Sequence, residues 1–497
     1  MSSYNCDVLI AGGGPTGITL AILLARHGVT VLVAEKEADI YPLPRAAHID
    51  HECMRILQEA GAADEVMATS RHASRYDFLN AKGRVLMRFE GADQVGPGGW
   101  PGANMIHQPS VERALRRSLS ALPAARLRNR WQLESFSDDG DGVTAQIATP
   151  DGTTTVRARF LVGADGARSP VREAANITFD DLAFEEPWLV VDALVDDPTR
   201  LPDANLQICN PDRPTTCVLM GAGRHRWEFM IKPGETADEV SADQFVAKLL
   251  EPWNVDGAVR IERKAVYTFR ARIADRWRKG RVLLAGDAAH QTPPFAGQGM
   301  CSGLRDAANL AWKLAAIVKN EAGIELLDSY QPERAPNLGA TIDMAITMGR
   351  MVCTTSRRAA FLRDLKIGLG RLLGKHPTGP AAYPPISRGV ILDATSGAGD
   401  YFPQPRTKAG SRLDDVLGSG SWLLSRQSLT SEALAPFASQ IERWLDEHGA
   451  DAVLVRPDRY VFGTGDEDTL LASWHAMTRL MPVFPALSGP QAKGIAD

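Results

Sequence analysis

The chain has 497 residues, 44% hydrophobic and 23% charged, with a formal net charge of −5. That length exceeds one ordinary core and predicts two or three domains. The charge offers no basic excess for nucleic acid or an anionic membrane surface, and no apolar run reaches the ~18 residues of a membrane span. The six cysteines (Cys6, Cys53, Cys209, Cys217, Cys301 and Cys353) are scattered without a C-x-x-C pair. This argues against a zinc site, a redox dithiol or a disulfide framework. It fits a reducing compartment, and with no basic, apolar leader before the first strand a cytoplasmic location is expected.

The first predicted element is the apolar run Cys6–Ala11, followed by Gly12-Gly13-Gly14-Pro15-Thr16-Gly17. A second run, Thr30–Ala34, ends at Glu35. Strand, glycine turn, helix, strand and acid in this order form the dinucleotide-binding βαβ unit. Gly12 permits the tight turn, Gly14 lets the backbone approach a pyrophosphate, and Gly17 lets helix and strand pack closely. The helix start near Pro15 offers free N–H groups to phosphate, and Glu35 is placed to accept ribose hydroxyls. Further on, His48 and His51 flank Asp50. This trio reads as a surface cluster, with a proton relay as the alternative.

Phe160–Gly163 reads as a buried strand ending in Ala164-Asp165-Gly166, and a helix should follow with Ser169 as N-cap and Pro170 at its first position. Strand-like runs then appear at Trp188–Val191, Thr216–Met220, Trp227–Ile231 and Ala265–Phe269. Arg224-His225-Arg226 should form a hairpin tip. Trp227 and Phe229 alternate as on a half-buried strand and are assigned to the core rather than to a pocket. A third parallel-type strand, Val282–Ala285, ends in Gly286-Asp287. An aspartate there can grip a sugar hydroxyl at the carboxyl edge of a parallel sheet. Gly297 and Gly299 leave N–H groups bare at the start of a helix carrying Leu304, Asp306, Leu310 and Trp312. His290 reads as a hydrogen-bonded structural residue, and the stripe Met344, Met348 and Met351 as core.

Taken together, GGGPTG…E, LVGADGARSPVR and RVLLAGDAAHQTPPFAGQGMCSGLRDAANLAWKL resemble the class A flavoprotein aromatic hydroxylases over nearly the whole chain. PLPRAAHIDHECMRILQEAGAADEV, HQPSVERALR and LVRPDRYVFG look most like the 3-(3-hydroxyphenyl)propionate hydroxylase and phenol hydroxylase branch. Polyketide-tailoring hydroxylases share much of this pattern. The resemblance implies an NAD(P)H- and O2-dependent monooxygenase that hydroxylates an activated phenolic ring through a flavin C4a-hydroperoxide. Its substrate would be a phenolic acid. It also assigns residues. Gly12, Gly14, Pro15, Thr16 and Gly17 would hold the FAD pyrophosphate, and Glu35 the adenosine ribose. Arg45 would lie along the phosphates, Gln108 would contact the ribityl region, and Asp165 would serve both FAD and the nicotinamide cofactor by holding local backbone. Asp287 would bind ribityl or phosphate-proximal hydroxyls. Gly297, Gly299 and Met300 would place N–H groups at the pyrimidine end of the flavin, and the Pro294 carbonyl would face the substrate ring. Gly299 and Met300 are thereby counted with Pro294 in the catalytic loop. No base for the phenol proton is legible.

The expected class is α/β. Residues 1–75, 105–178 and 270–394 would form an FAD-binding domain of the para-hydroxybenzoate hydroxylase type. It would interleave with a β-rich substrate domain of residues 76–104 and 179–269. A stretch rich in Gly and Pro from Gly374 to Arg388 would lead to a thioredoxin-like tail, residues 395–497, without C-x-x-C and with a packing or homodimer role. Another FAD oxidoreductase of the same fold and a non-catalytic flavin-binding protein are the rival classes. A paired-cysteine reductase motif and a clear halogenase tryptophan motif are both missing from the sequence.

Overall fold

A computed structural model describes residues 4–42, 45–373 and 383–480. Leu43 and Pro44, and residues 374–382 of the Gly- and Pro-rich stretch, lie outside the described residues. The chain divides into two compact units. The first comprises Met1–Gly96, Trp100–Ala311 and Leu338–Tyr383, and the second Pro97–Gly99, Trp312–Asn337 and Pro384–Asp497.

The first unit holds two eight-stranded sheets. In one, Cys6–Ala11 pairs in parallel with Val31–Glu35 on one side and Gly152–Gly163 on the other. Ala125–Asn129 and Val282–Leu284 extend the parallel array outward. Val8, Leu9 and Ile10 are fully buried, as expected of a parallel strand covered on both faces. The register pairs Ala11 with Ala34 and Gly163, and Gly163 with Leu284. All three predicted cofactor motifs therefore leave the sheet at one carboxyl edge. The helix Pro15–Arg26 starts with Pro15 at its first turn and buries Gly17 through Ala25. Ser169 caps the helix Pro170–Ala174 by accepting from the Arg172 N–H, as its sequence position predicts.

The second sheet contains Phe179–Val195, Val259–Ala274, Arg224–Met230, Thr215–Met220, Asn205–Cys209 and Arg75–Asn80. Side chains alternate across it. Leu189, Val191, Ala193, Cys217, Trp227 and Phe229 form a closed core with Val240, Val246 and Leu250. Trp227 and Phe229 are thus core. The opposite face carries Asp192, Arg226, Glu228 and Arg263, all buried.

Arg224-His225-Arg226 is not a hairpin tip. The turn is Gly221-Ala222-Gly223, in which Ala222 and Gly223 take left-handed backbone (φ 54° and 68°), so the strand already begins at Arg224. His225 is fully buried, its ring 4.6 Å from that of Trp227 and its Nε2 3.0 Å from Cys217 Sγ. Burial holds its pKa down to about 3, so it stays neutral. His48, Asp50 and His51 are not a surface cluster either. Asp50 is the N-cap of the helix His51–Glu59, accepts from the Cys53 N–H, and is buried against Arg305. The Met stripe flanks the core: Met344, Met348 and Met351 are half-buried, while Ile342, Ala345 and Ile346 supply the buried face of the helix Tyr330–Val352.

In the second unit, Trp422–Ser425, Ala452–Val455 and Val461–Gly465 form an antiparallel sheet. The helix Ala438–His448 buries Ile441, Trp444 and Leu445 in a core with Trp422, Leu424 and Val453. A charged knot is buried here as well. Glu333 Oε2 accepts from Lys313 Nζ and from Arg456 Nη2, each at 2.7 Å, and Asp458 binds the same guanidinium. The Val390 N–H donates to the other Glu333 oxygen. Among the described residues, no helix is long and apolar enough to cross a membrane.

Candidate active site

The nucleotide end is built at the carboxyl edge of the parallel sheet. Gly12 takes φ +104°, and a Cβ there would lie 2.3 Å from the Ala164 carbonyl oxygen. A Cβ on Gly17 would lie 2.1 Å from the Gly12 oxygen, whereas nothing lies within 4 Å of one on Gly14. Two glycines therefore close the turn and the third leaves open space above it. Glu35 ends its strand with Oε2 accepting from the Gly13 N–H at 2.6 Å. Thr16 is wedged between Gly286 and Gly303, either of whose Cβ would clash with its hydroxyl. The glycine turn is thereby locked to the Gly286-Asp287 turn.

Gln108 opens the helix Gln108–Ser120 and accepts from the N–H groups of Arg45 and Ala46 at 3.0 and 2.8 Å, fixing that loop. The Arg45 side chain is exposed, with its guanidinium 5.6 Å from the Tyr41 ring. Asp165 accepts from the Val171 N–H through Oδ2, while its buried Oδ1 has no partner. Burial raises the pKa of its carboxyl, and does the same to Asp287. His290 Nε2 meets Asp306 Oδ2 at 2.6 Å, and the Gly286 N–H donates to the same oxygen at 3.0 Å. His290 thus braces the turn carrying Asp287, the structural role read for it.

Pro294–Ala296 is one turn of 3-10 helix, and Gly297 follows in left-handed backbone, φ +66°; contrary to expectation its N–H is not bare, because the 3-10 turn closes on it and it donates to the Pro294 carbonyl at 2.8 Å. Gly299 and Met300 begin the long helix Gly299–Val318. Arg305 of that helix binds Glu52 at 2.7 Å, Asp50 at 2.8 Å and Gln298 Oε1 at 3.1 Å. The loop at the helix start is therefore clamped from below by a buried ionic group. Apolar periodicity in the sequence gave no sign of it.

The charged face of the second sheet forms a wall between two of these segments. Asp192 accepts from Arg226 at 2.6 and 3.1 Å and from Arg263 at 3.2 Å. Arg263 also donates to the Tyr267 hydroxyl. Arg226 Nη1 reaches the Arg45 carbonyl at 2.7 Å. At the other end of the same face, Trp188 meets Phe295 edge-on at 5.7 Å, with Phe269 beside both. These wall residues were missed from sequence. Their signal is the alternation of Arg224, Arg226 and Glu228 with His225, Trp227 and Phe229, which marks a strand with charge on one buried face.

An open cradle above Gly14 and an unpaired buried carboxylate oxygen at Asp165 fit a pyrophosphate-bearing, hydroxyl-rich cofactor. Residues 5–345 match the FAD binding domain family, and residues 437–480 match the HcaD C-terminal domain. The chain is 35% identical to a probable NADH-specific resorcinol 4-hydroxylase of Rhodococcus jostii (strain RHA1), covering 98% of this chain and 97% of that protein. It belongs to the FAD-dependent aromatic hydroxylases. A 3-(3-hydroxy-phenyl)propionate/3-hydroxycinnamic acid hydroxylase of Mycolicibacterium smegmatis (strain ATCC 700084 / mc(2)155) is also 35% identical, over 93% of this chain and 84% of its own. Among solved structures, an aklavinone-11 hydroxylase in complex with FAD and aklavinone is similar at a TM-score of 0.78 and 26% identity. It covers 96% of this chain and 100% of its own. This aromatic hydroxylase is accordingly an FAD-dependent monooxygenase using a nicotinamide reductant and O2.

Proposed function

We propose that this hydroxylase acts on a phenol bearing an acidic side chain, of the 3-(3-hydroxyphenyl)propionate class, adding oxygen next to the ring hydroxyl with NADH as reductant. The observation that carries this reading is the wall in which two buried guanidiniums, Arg226 and Arg263, both bind Asp192, while the second carboxyl nearby, Glu228, has its pKa raised by burial. Such a wall suits an anionic substrate. The names of the two relatives support the phenolic class and NADH. Similarity to the aklavinone hydroxylase favours a second reading, a larger polycyclic phenol. Turnover of 3-(3-hydroxyphenyl)propionate against a polycyclic phenol, followed as NADH consumed and product mass, separates the two. Stimulation by the polycyclic phenol alone would overturn the first.

FAD, when bound, takes electrons from the nicotinamide and activates O2 for transfer to the ring. The chain supplies order. Gly12, Gly14, Pro15, Thr16 and Gly17 would receive the pyrophosphate at the positive end of a helix, Glu35 the adenosine ribose, and Arg45 the phosphates. Gln108 would keep the Arg45 loop in place. Asp165 and Asp287 would accept hydroxyls. The N–H groups of Gly299 and Met300 would stabilise negative charge at the pyrimidine end of the flavin, while the Gly297 N–H is held by the Pro294 carbonyl, whose remaining lone pair would face the substrate. Trp188, Phe269 and Phe295 exclude water from the wall's apolar end.

Asp287→Ala is expected to weaken FAD binding by roughly 1.5–3 kcal/mol, the worth of a charge-assisted hydrogen bond. Asp181→Ala, which removes an exposed partner of Arg272, should leave it unchanged. Equal flavin affinity of the two variants, measured by fluorescence titration of the apoprotein, would sink this assignment.

A cytoplasmic homodimer is the assembly we propose. The helix Arg357–Leu372 turns Arg363 and Arg371 inward onto main-chain carbonyls and leaves Phe361, Leu362, Leu365 and Leu369 exposed. An outward apolar stripe of this size marks an interface. An antiparallel pairing with its own copy would also oppose the two helix dipoles. The free thiols fit the reducing compartment.

A further inference from the structure

We propose that Glu228 is the acid–base group of this site, its carboxylate taking the proton of the substrate's ring hydroxyl. The proposal rests on the phenol-hydroxylase reading above and names the residue that reading leaves open.

The register places Glu228 in the middle of the wall. Val190 pairs with Glu228, Asp192 with Arg226, and Trp188 with Met230. The row on one side of Glu228 touches the Arg45 segment through Arg226, and the row on the other touches Phe295 through Trp188. A substrate ring lying between these two segments faces the Glu228 row. Within that row Val190 and Ala265 are apolar, and Thr216 pairs with Glu228 on the neighbouring strand.

The titratable groups acting on it are Arg226 on its own strand, Asp192 and Arg263 on the two strands beyond, and Tyr76 from the sheet's far side. Each is already engaged. Asp192, Arg226, Arg263 and Tyr267 bond one another. The Tyr76 hydroxyl accepts from Gln207 Nε2 at 2.7 Å, and Thr216 donates to Gln207 Oε1. Glu228 is 7% exposed, and no described residue donates it a hydrogen bond. The guanidinium of Arg226 approaches it through Nη1 at 3.7 Å, beyond hydrogen-bonding reach. A buried carboxyl without a donor is costly unless a ligand completes it.

The step balances without a change in oxidation state. The substrate O–H bond breaks, its electron pair stays on the phenolic oxygen, and the proton forms a new O–H bond on Glu228. The ring is thereby made electron-rich for electrophilic oxygen. Arg226 and Arg263 hold positive charge beside the phenolate. Burial also raises the Glu228 pKa above the ordinary carboxylate range, which makes it a better base than an exposed glutamate.

The test compares the FAD-loaded native enzyme with Glu228→Gln and Glu228→Asp, using 3-(3-hydroxyphenyl)propionate and resorcinol as probes. In the native enzyme kcat should fall as pH drops through the raised carboxyl pKa, and a phenolate difference band should appear on binding. Glu228→Gln should lose the acid limb and the band, and lower kcat about 10²-fold, with KM little changed. Its rate should recover towards the phenol's own pKa of about 10. Glu228→Asp should keep the acid limb. A native enzyme without an acid limb would overturn the proposal whether or not the Gln variant folds, and so would a Gln variant that keeps both limb and kcat. A flavin-loaded native enzyme that turns over no phenol would overturn the substrate reading, and with it this role.

Discussion

Gly12→Ala is expected to purify without flavin. The new Cβ would lie 2.3 Å from the Ala164 oxygen and 2.9 Å from the Asp165 Cα, both backbone atoms. The two strands cannot simply part, because Ala11 and Gly163 are the last rungs of a five-pair parallel ladder. Alanine at φ +104° adds conformational strain of about 1–3 kcal/mol to the clash. The glycine turn and the Asp165 turn would be pushed apart, and the cradle needs both. Gly14→Ala gives the contrast. Nothing lies within 4 Å of its Cβ, so the fold should be untouched while the methyl fills the space of the pyrophosphate. Flavin-to-protein ratio after gel filtration, with melting temperature of the apoprotein, reads both. Gly12→Ala should lose flavin and stability, and Gly14→Ala flavin alone. Stoichiometric flavin in Gly12→Ala would contradict the turn's role.

The second large effect lies in the other unit. Glu333→Ala removes the carboxylate that joins Lys313 to Arg456, leaving two buried cations of which only Arg456 keeps a carboxylate partner, Asp458. Breaking a buried pair in this way costs about 3–5 kcal/mol. For a unit of this size that lowers the melting temperature on the order of 10 °C. Differential scanning calorimetry should show the fall. Lys313→Met should be milder, since it removes a charge instead of stranding one. A Glu333→Ala melting temperature within the error of the native protein would mean that the knot does not hold this unit together.

The contrast between these two sites explains what the sequence could show. The cofactor edge was legible because its chemistry is local: a glycine turn, an acid at a strand end and an Asp-Gly or Gly-Asp after an apolar run each lie within a few residues. The alternation of Trp227 and Phe229 likewise revealed a core face. In the other half of that alternation Glu228 was placed on the strand as a polar neighbour, but Arg226 was read as a loop tip, because a charged triplet beside glycines resembles a turn. Its burial depends on Asp192 and Arg263, 34 and 37 residues away in sequence on strands that pair only in the folded sheet. Asp50 was misread for the same reason. Its partner Arg305 lies 255 residues further along the chain, and nothing local says that a short acidic N-cap will be covered.

The central claim, that this chain hydroxylates an activated phenolic ring with oxygen from O2, is tested most directly by isotope labelling. The FAD-loaded enzyme is incubated with NADH, 3-(3-hydroxyphenyl)propionate and 18O2, and the product mass is read beside the H2O2 released. Phenylpropionate, which lacks the ring hydroxyl, serves as the control. One labelled oxygen is expected in the hydroxylated product, and NADH oxidation without hydroxylation for the control. Oxygen drawn from water, or equal hydroxylation of phenylpropionate, would contradict it.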